Sequence, residues 1–201
     1  MASASPSVQK ALNPGERQDV VVLKNQLDMG LSPDAGNSNM TLLIKAANTG
    51  NIEACVLLAE RGADVNLARG DGASPLFIAA ENGHGSVCHL LLHHGADVNQ
   101  ATDMDTSPLF IAAENGLKNV CYLLIQSGAD ANQARDDGAT PLYVAARNGH
   151  MDVCRLLLHY GADVKRTDKY GKSSLRIADL NGHERVRRPL AQHLLTPAVL
   201  V

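Results

Sequence analysis

DGASPLFIAAENGHGSVCHLLLHHGADVN, Asp71 to Asn99, decides how this chain is built. It returns as DTSPLFIAAENGLKNVCYLLIQSGADAN from Asp105 to Asn132, and as DGATPLYVAARNGHMDVCRLLLHYGADVK from Asp137 to Lys165. Gly62, Gly95, Gly128 and Gly161 fall 33 residues apart, as do Pro75, Pro108 and Pro141. A fixed period of this length marks small units stacked in a row, each leaning on its neighbours rather than closing its own core.

Local rules build one unit. Ser or Thr followed by Pro is an N-cap with proline at the first helical position. A short helix over Pro75 to Asn82 then stops at Gly83, a natural C-terminal signal. A second helix, about Ser86 to His94, carries Val87, Cys88, Leu91 and Leu92 on one face and stops at Gly95. The turn-forming segment GADVNQATDMDT reverses the chain. The product is helix, tight turn, helix and a projecting hairpin-like loop.

Outward from the regular copies, the pattern wears. Thr41 to Asn66 is the first clear repeat, with Leu42 in place of proline. Asp19 to Met29 predicts a helix ending at Gly30, and GLSPDAG matches the post-helix turn, so 15–37 is a capping helix or a degenerate first unit. Residues 1–14, rich in Ser, Ala and Pro, are expected to form a mobile tail, and 196–201 a C-terminal one. The repeat domain is 38–195, about five units, the last of them a degenerate cap. There Ser173 and Ser174 precede Leu175, and Asp179 replaces the second alanine of the pair. Pro189 falls inside the second helix, where it removes a donor and crowds the preceding turn. A worn terminal unit suits an outer face that must meet water.

The pattern SPLFIAAENGH followed by VCHLLLHHGADVN resembles that of the ankyrin-repeat family, over about Thr41 to His183. The family's histidine position is the departure, holding Phe77, Phe110, Tyr143 and Arg176. The resemblance implies an all-α solenoid of stacked helix-turn-helix units with projecting β-hairpin-like loops. It also implies that His84, His150 and His183 act structurally at the turn, and that Asn66, Asn99 and Asn132 brace the loop. A protein partner held on a concave surface of hairpin tips and exposed first-helix residues is the function it implies.

Composition narrows the alternatives. In 201 residues, 45% are apolar but only 3% aromatic, so alanine, leucine and glycine carry the packing. The net charge of -3 announces no nucleic-acid or membrane partner. No signal-peptide core and no run of about 18 apolar residues is present, which predicts a cytosolic or nuclear address.

Cys55, Cys88, Cys121 and Cys154 occupy one register position. Helices about 8–10 Å apart keep them too distant for a disulfide and too linear for zinc, which leaves small buried hydrophobes. His89 and His93 share a helical face without further ligands in register, so no metal is expected. No nucleophile elbow, Walker loop or dinucleotide fingerprint appears. A Glu81–Glu114 pair is better explained as surface than as catalytic carboxylates. The chain is therefore expected to be no enzyme, to need no cofactor and to act as a monomer.

Residues that vary while the frame repeats are free of packing duty, and they are the candidate partner-binding set. On first helices these are Asn48, Glu81, Glu114, Arg147 and Leu180. At the tips they are Arg69, Asp71, Asp103, Met104, Arg135, Asp136, Asp137, Lys169 and Tyr170. Asp105 replaces Gly72 and Gly138, which predicts a different shape for that tip. The Phe77, Phe110, Tyr143 ladder is expected to pack between first helices, and to anchor a partner only where exposed.

Charge is unevenly placed. Residues 1–154 hold nine Lys/Arg against 17 Asp/Glu, and residues 155–201 nine against four. An alternative function follows, in which the basic last repeat holds nucleic acid or anionic lipid. The Val199-Leu200-Val201 end resembles a PDZ ligand, with packing under the cap as the competing role.

Overall fold

The computed structural model describes residues 17–37 and 40–195. The tails expected over 1–14 and 196–201, the Val199-Leu200-Val201 end included, lie outside the described residues. The described chain falls into two compact units, one ending at Asp103 and one starting at Met104.

The first unit contains α1 (Arg17–Asp28), a two-residue antiparallel pair β1 (Gly36–Asn37) and β2 (Met40–Thr41), then α2 (Leu42–Thr49), α3 (Ile52–Glu60), α4 (Pro75–Glu81) and α5 (Gly85–His93). The second contains α6 (Pro108–Glu114), α7 (Lys118–Gln126), α8 (Pro141–Arg147), α9 (Met151–His159), α10 (Ser174–Leu180) and α11 (Glu184–Leu195). Helix pairs at the expected positions, within a residue or two, bear out the all-α repeat architecture.

Each first helix starts by the same device. Thr41, Ser74, Ser107, Thr140 and Ser173 are extended N-caps, and their hydroxyl oxygens accept from the amides of Ile44, Phe77, Phe110, Tyr143 and Arg176 at 3.2–3.3 Å. Pro75, Pro108 and Pro141 then hold the first helical position, where a missing N–H costs nothing.

Like packs on like. Within the first unit α2 lies on α4, α3 on α5 and α1 on α3; within the second, α6, α8 and α10 stack in order, as do α7, α9 and α11. Small residues permit this closeness: Ala79, Ala80, Ala112, Ala113, Ala145 and Ala146 are wholly buried between first helices. The four cysteines are buried and free. Burial pushes each thiol up to about 12. Phe77, Phe110 and Tyr143 are also buried, so the ladder is core rather than an anchor.

One local expectation needs correction. Asp105 keeps the conformation of the glycine it replaces: its φ of 55° is in the left-handed region that Gly72 and Gly138 occupy at 81° and 82°. Aspartate is among the few side chains that tolerate that region. Pro189 lies inside its helix, as the sequence indicates, and α11 runs from Glu184 to Leu195. The proline removes one bond, to the carbonyl of the exposed Arg185, while Val186 and Leu190 remain buried on either side and hold the helix in place.

Candidate protein-binding surface

Three tips close as backbone turns. Arg69 N–H donates to the Ala73 carbonyl at 2.9 Å, Arg135 N–H to that of Ala139 at 2.9 Å, and Asp168 N–H to that of Lys172 at 3.0 Å. Successive tips are tied within each unit, by Asp103 N–H to the Asp71 carbonyl at 3.0 Å and Lys169 N–H to the Asp137 carbonyl at 2.8 Å. A Cβ on Gly72 would lie 2.7 Å from the Asp103 nitrogen, so only glycine admits this approach.

Several expected contact residues turn out to be paired with each other. Arg69 grips both oxygens of Asp71, at 2.8 and 2.5 Å, and this guanidinium holds the carboxyl down at about 2. Arg135 grips Asp137 in the same manner and also lies 3.9 Å from Asp136, and its hydrogen bond keeps the Asp137 carboxyl below the usual range. On the first helices Arg147 donates to Glu114 at 2.5 Å, joining residues 33 apart. Asn48, Glu81, Asp103, Met104, Asp136, Lys169, Tyr170 and Leu180 are exposed, while Arg69, Glu114, Arg135, Asp137 and Arg147 are half-buried and Asp71 is exposed in its ion pair.

The backbone beneath these side chains is clamped by the next repeat. The carbonyl of Glu114 accepts from Asn148 Nδ2 at 2.8 Å and lies 2.9 Å from His150 Nε2; that of Arg147 accepts from Asn181 at 2.8 Å and lies 3.0 Å from His183 Nε2. The carbonyl of Asn48 lies 3.2 Å from His84 Nε2. Loop asparagines work likewise. Asn66 donates to the Gly95 carbonyl at 3.2 Å and accepts from the Asp97 amide at 2.8 Å, and Asn132 repeats this with Gly161 and Asp163. Asp34 accepts from the Asp64 amide at 2.8 Å, which makes the turn after α1 repeat-like.

Sequence reasoning missed the coupling of tips to the aromatic ladder. The Arg135 guanidinium sits 5.1 Å over the Phe110 ring, and the Tyr143 hydroxyl donates to Asp168 at 2.8 Å. Burial, and then the Asp168 carboxylate, push the Tyr143 phenol up to about 12. A signal was present: ladder and tip residues 25 apart differ together, Phe with Arg in one case and Tyr with Asp in the other. Also missed was an open groove between α9 and α11.

Among the described residues no three His, Cys, Asp or Glu side chains come together as a metal site, and no helix is long and apolar enough to cross a membrane.

A family model described as ankyrin repeats (3 copies) matches residues 10–102 and 109–196. An ankyrin repeat-containing protein of Schizosaccharomyces pombe is 37% identical over 79 residues, covering 39% of this chain. The match spans 37% of that relative's length. Repeat period, capped helix pairs, inter-repeat histidines and the extent of the family match agree: the chain belongs to the ankyrin-repeat family.

Proposed function

We propose that this chain is a non-catalytic module that binds another protein through its tips and the exposed ends of its first helices. Ankyrin repeats are in general protein–protein interaction modules. The observation that carries the proposal here is where the large apolar side chains are exposed. Met104 is 64% exposed, Tyr170 73% and Leu180 50%, and all three stand at positions that vary between repeats. Framework positions in the same repeats are buried. Covering such a side chain fully is worth roughly 1.5–3 kcal/mol, so three of them supply anchors for a partner.

Clamped carbonyls under Glu114 and Arg147 lower the ordering cost of binding. The Arg69–Asp71, Arg135–Asp137 and Glu114–Arg147 pairs offer the partner fixed polar features rather than free charges. Asp136 and Lys169 are the exposed polar neighbours on the second unit, and Asn48, Glu81 and Asp103 are the exposed polar candidates on the first. The chain works as a monomer, in the cytosol or nucleus.

A photo-crosslinking amino acid at Met104, Tyr170 and Leu180, with His89 on the exposed face of α5 as control, tests this in cells. Discrete protein adducts are expected at the three positions and not at His89. Equal adducts at His89, or adducts made of nucleic acid or lipid, would overturn it. The second of these results would favour the basic last repeat, where the Lys169 and Lys172 ammonium groups lie 5.4 and 6.0 Å from the Tyr170 ring.

A further inference from the structure

The last tip reverses the charge of its siblings while keeping their frame. Over 165–176 the chain has five cations, Lys165, Arg166, Lys169, Lys172 and Arg176, against the single carboxylate of Asp168. The equivalent windows hold one cation and two carboxylates over 132–143, none and two over 99–110, and one and one over 66–77. All five cations are exposed. The backbone beneath them is the one the other repeats use, with an N-cap at Ser173 and a positive-φ glycine at Gly171. Packing therefore did not demand the change.

The acids around this tip are committed to the fold. Asp168 accepts from the Tyr143 hydroxyl at 2.8 Å and from the Tyr170 and Lys172 amides at 3.0 and 2.8 Å. On the tip to which it is tied, Arg135 grips Asp137 and lies 3.9 Å from Asp136. The cations are less engaged. Arg166 gives one N–H to the Asn132 carbonyl at 3.0 Å, and Arg176 lies 3.5 Å from Asp179. Lys165, Lys169 and Lys172 form no ion pair among the described residues.

An apolar seat lies among these charges. Tyr170 stands in the register position of Asp71 and Asp137, which arginines two residues earlier grip. Its own residue two earlier is Asp168, so no guanidinium claims the place and the ring is exposed. Lys169 and Lys172 flank that ring, their ammonium groups 5.4 and 6.0 Å from its centre. On α10 the coupling of cation and apolar side chain recurs. Arg176 and Leu180, both exposed, are four residues apart and so share a face.

We infer that the last repeat binds an acidic segment of another protein, in which carboxylates alternate with large apolar residues. The apolar residues cover Tyr170 and Leu180, and the carboxylates meet Lys169, Lys172 and Arg176. Opposite charge steers such a segment to this repeat and fixes its register. The apolar contacts supply more of the affinity, because exposed ion pairs are individually weak. A nucleic-acid strand fits less well, since Tyr170 is the only Phe, Tyr or Trp from Lys165 onward and bases need aromatic platforms in series. The inference rests on the tips and first helices being the binding surface, and adds the chemistry recognised there.

Fluorescence anisotropy of the full chain with labelled peptides tests it. One peptide sets leucine and phenylalanine among glutamates, and a second has serine in place of both. Single-stranded DNA of equal charge and phosphatidylserine vesicles serve as competitors. The first peptide should bind saturably and about tenfold tighter than the second. Lys169→Asp combined with Lys172→Ala should weaken it about tenfold, as two attractions are lost and one repulsion is gained. Tyr170→Ser should do as much. Arg185→Gln combined with Arg188→Gln, which removes the same kind of charge from α11, should leave binding unchanged. The lysine replacements keep the fold, because other tips already carry Asp103 and Asp136 at the one place and Ala73 and Ala139 at the other. Failure of the first peptide to bind, equal binding of the serine peptide, or equal loss in the α11 variant would overturn the inference. Displacement by DNA or vesicles at the peptide's own affinity would also overturn it, and would mark the repeat as a general polyanion site. Protein adducts at Tyr170 in cells, with no preference for the acidic peptide, would overturn this inference while leaving the protein-binding proposal standing.

Discussion

Asp71 illustrates how a tip is locked one side chain at a time. Its carboxyl, held down at about 2 by the Arg69 guanidinium, has an ordinary value near 3.9 in an unfolded chain. A depressed folded value means that the contribution is complete above about 4 and is lost as pH falls through about 2. A carbon-detected NMR titration should therefore place the Asp71 midpoint near 2, and Arg69→Gln should move it up toward the ordinary value. A midpoint near 4 in the wild type would show that the pair does not form in solution. Glycine imposes a second single-residue constraint. At Gly116, with φ of 71°, a built Cβ would sit 2.6 Å from His150 Nδ1; at Gly161, with φ of 84°, it would touch nothing within 4 Å. Gly161→Ala should cost only the left-handed penalty of about 1–2 kcal/mol. Gly116→Ala should cost more in urea unfolding, because the His150 ring must also leave the Glu114 carbonyl. Equal costs would remove the histidine from the account of inter-repeat packing.

At the scale of the helix, the last repeat departs from the rule the others follow. Ser174 occupies the first helical position of α10, where α4, α6 and α8 have proline. Its hydroxyl is buried and has no hydrogen-bond partner among the described residues. Ser174→Pro removes that unsatisfied group and restricts the unfolded chain, without losing a needed N–H. Thermal unfolding should show a gain of about 1 kcal/mol, and destabilisation would mean that the α10 entry differs from its siblings. Ser107→Ala, by contrast, should lose about 1 kcal/mol, since the cap to the Phe110 amide has no substitute. Pro189 belongs at this scale too. It removes a donor inside the helix, and α11 persists because burial of Val186 and Leu190 outweighs one lost backbone bond.

Over the whole molecule the cysteine column becomes an observable. Four thiols, each pushed up to about 12 by burial, are distributed through both units. The thiolate is the reactive form, so the folded protein should stay inert to a disulfide reagent at pH 8 and react fourfold only on adding denaturant. Rapid modification of any one thiol in buffer would show that its repeat opens far more easily than the packing suggests. Their burial was legible from register alone, as were the helix pairs and caps, whereas the state of Glu114 and Arg147 was not. Sequence places these two in equivalent positions but gives no sign that one turns to meet the other.

What this sequence determined alone is the frame: the 33-residue period, the Ser/Thr-Pro starts, the glycine stops and the buried column, all consequences of interactions among residues near in the chain. Only the tertiary structure decided which variable side chains are exposed and which neutralise one another. Those outcomes depend on distances between repeats, and such distances follow from how the alanine and leucine faces pack rather than from any local preference.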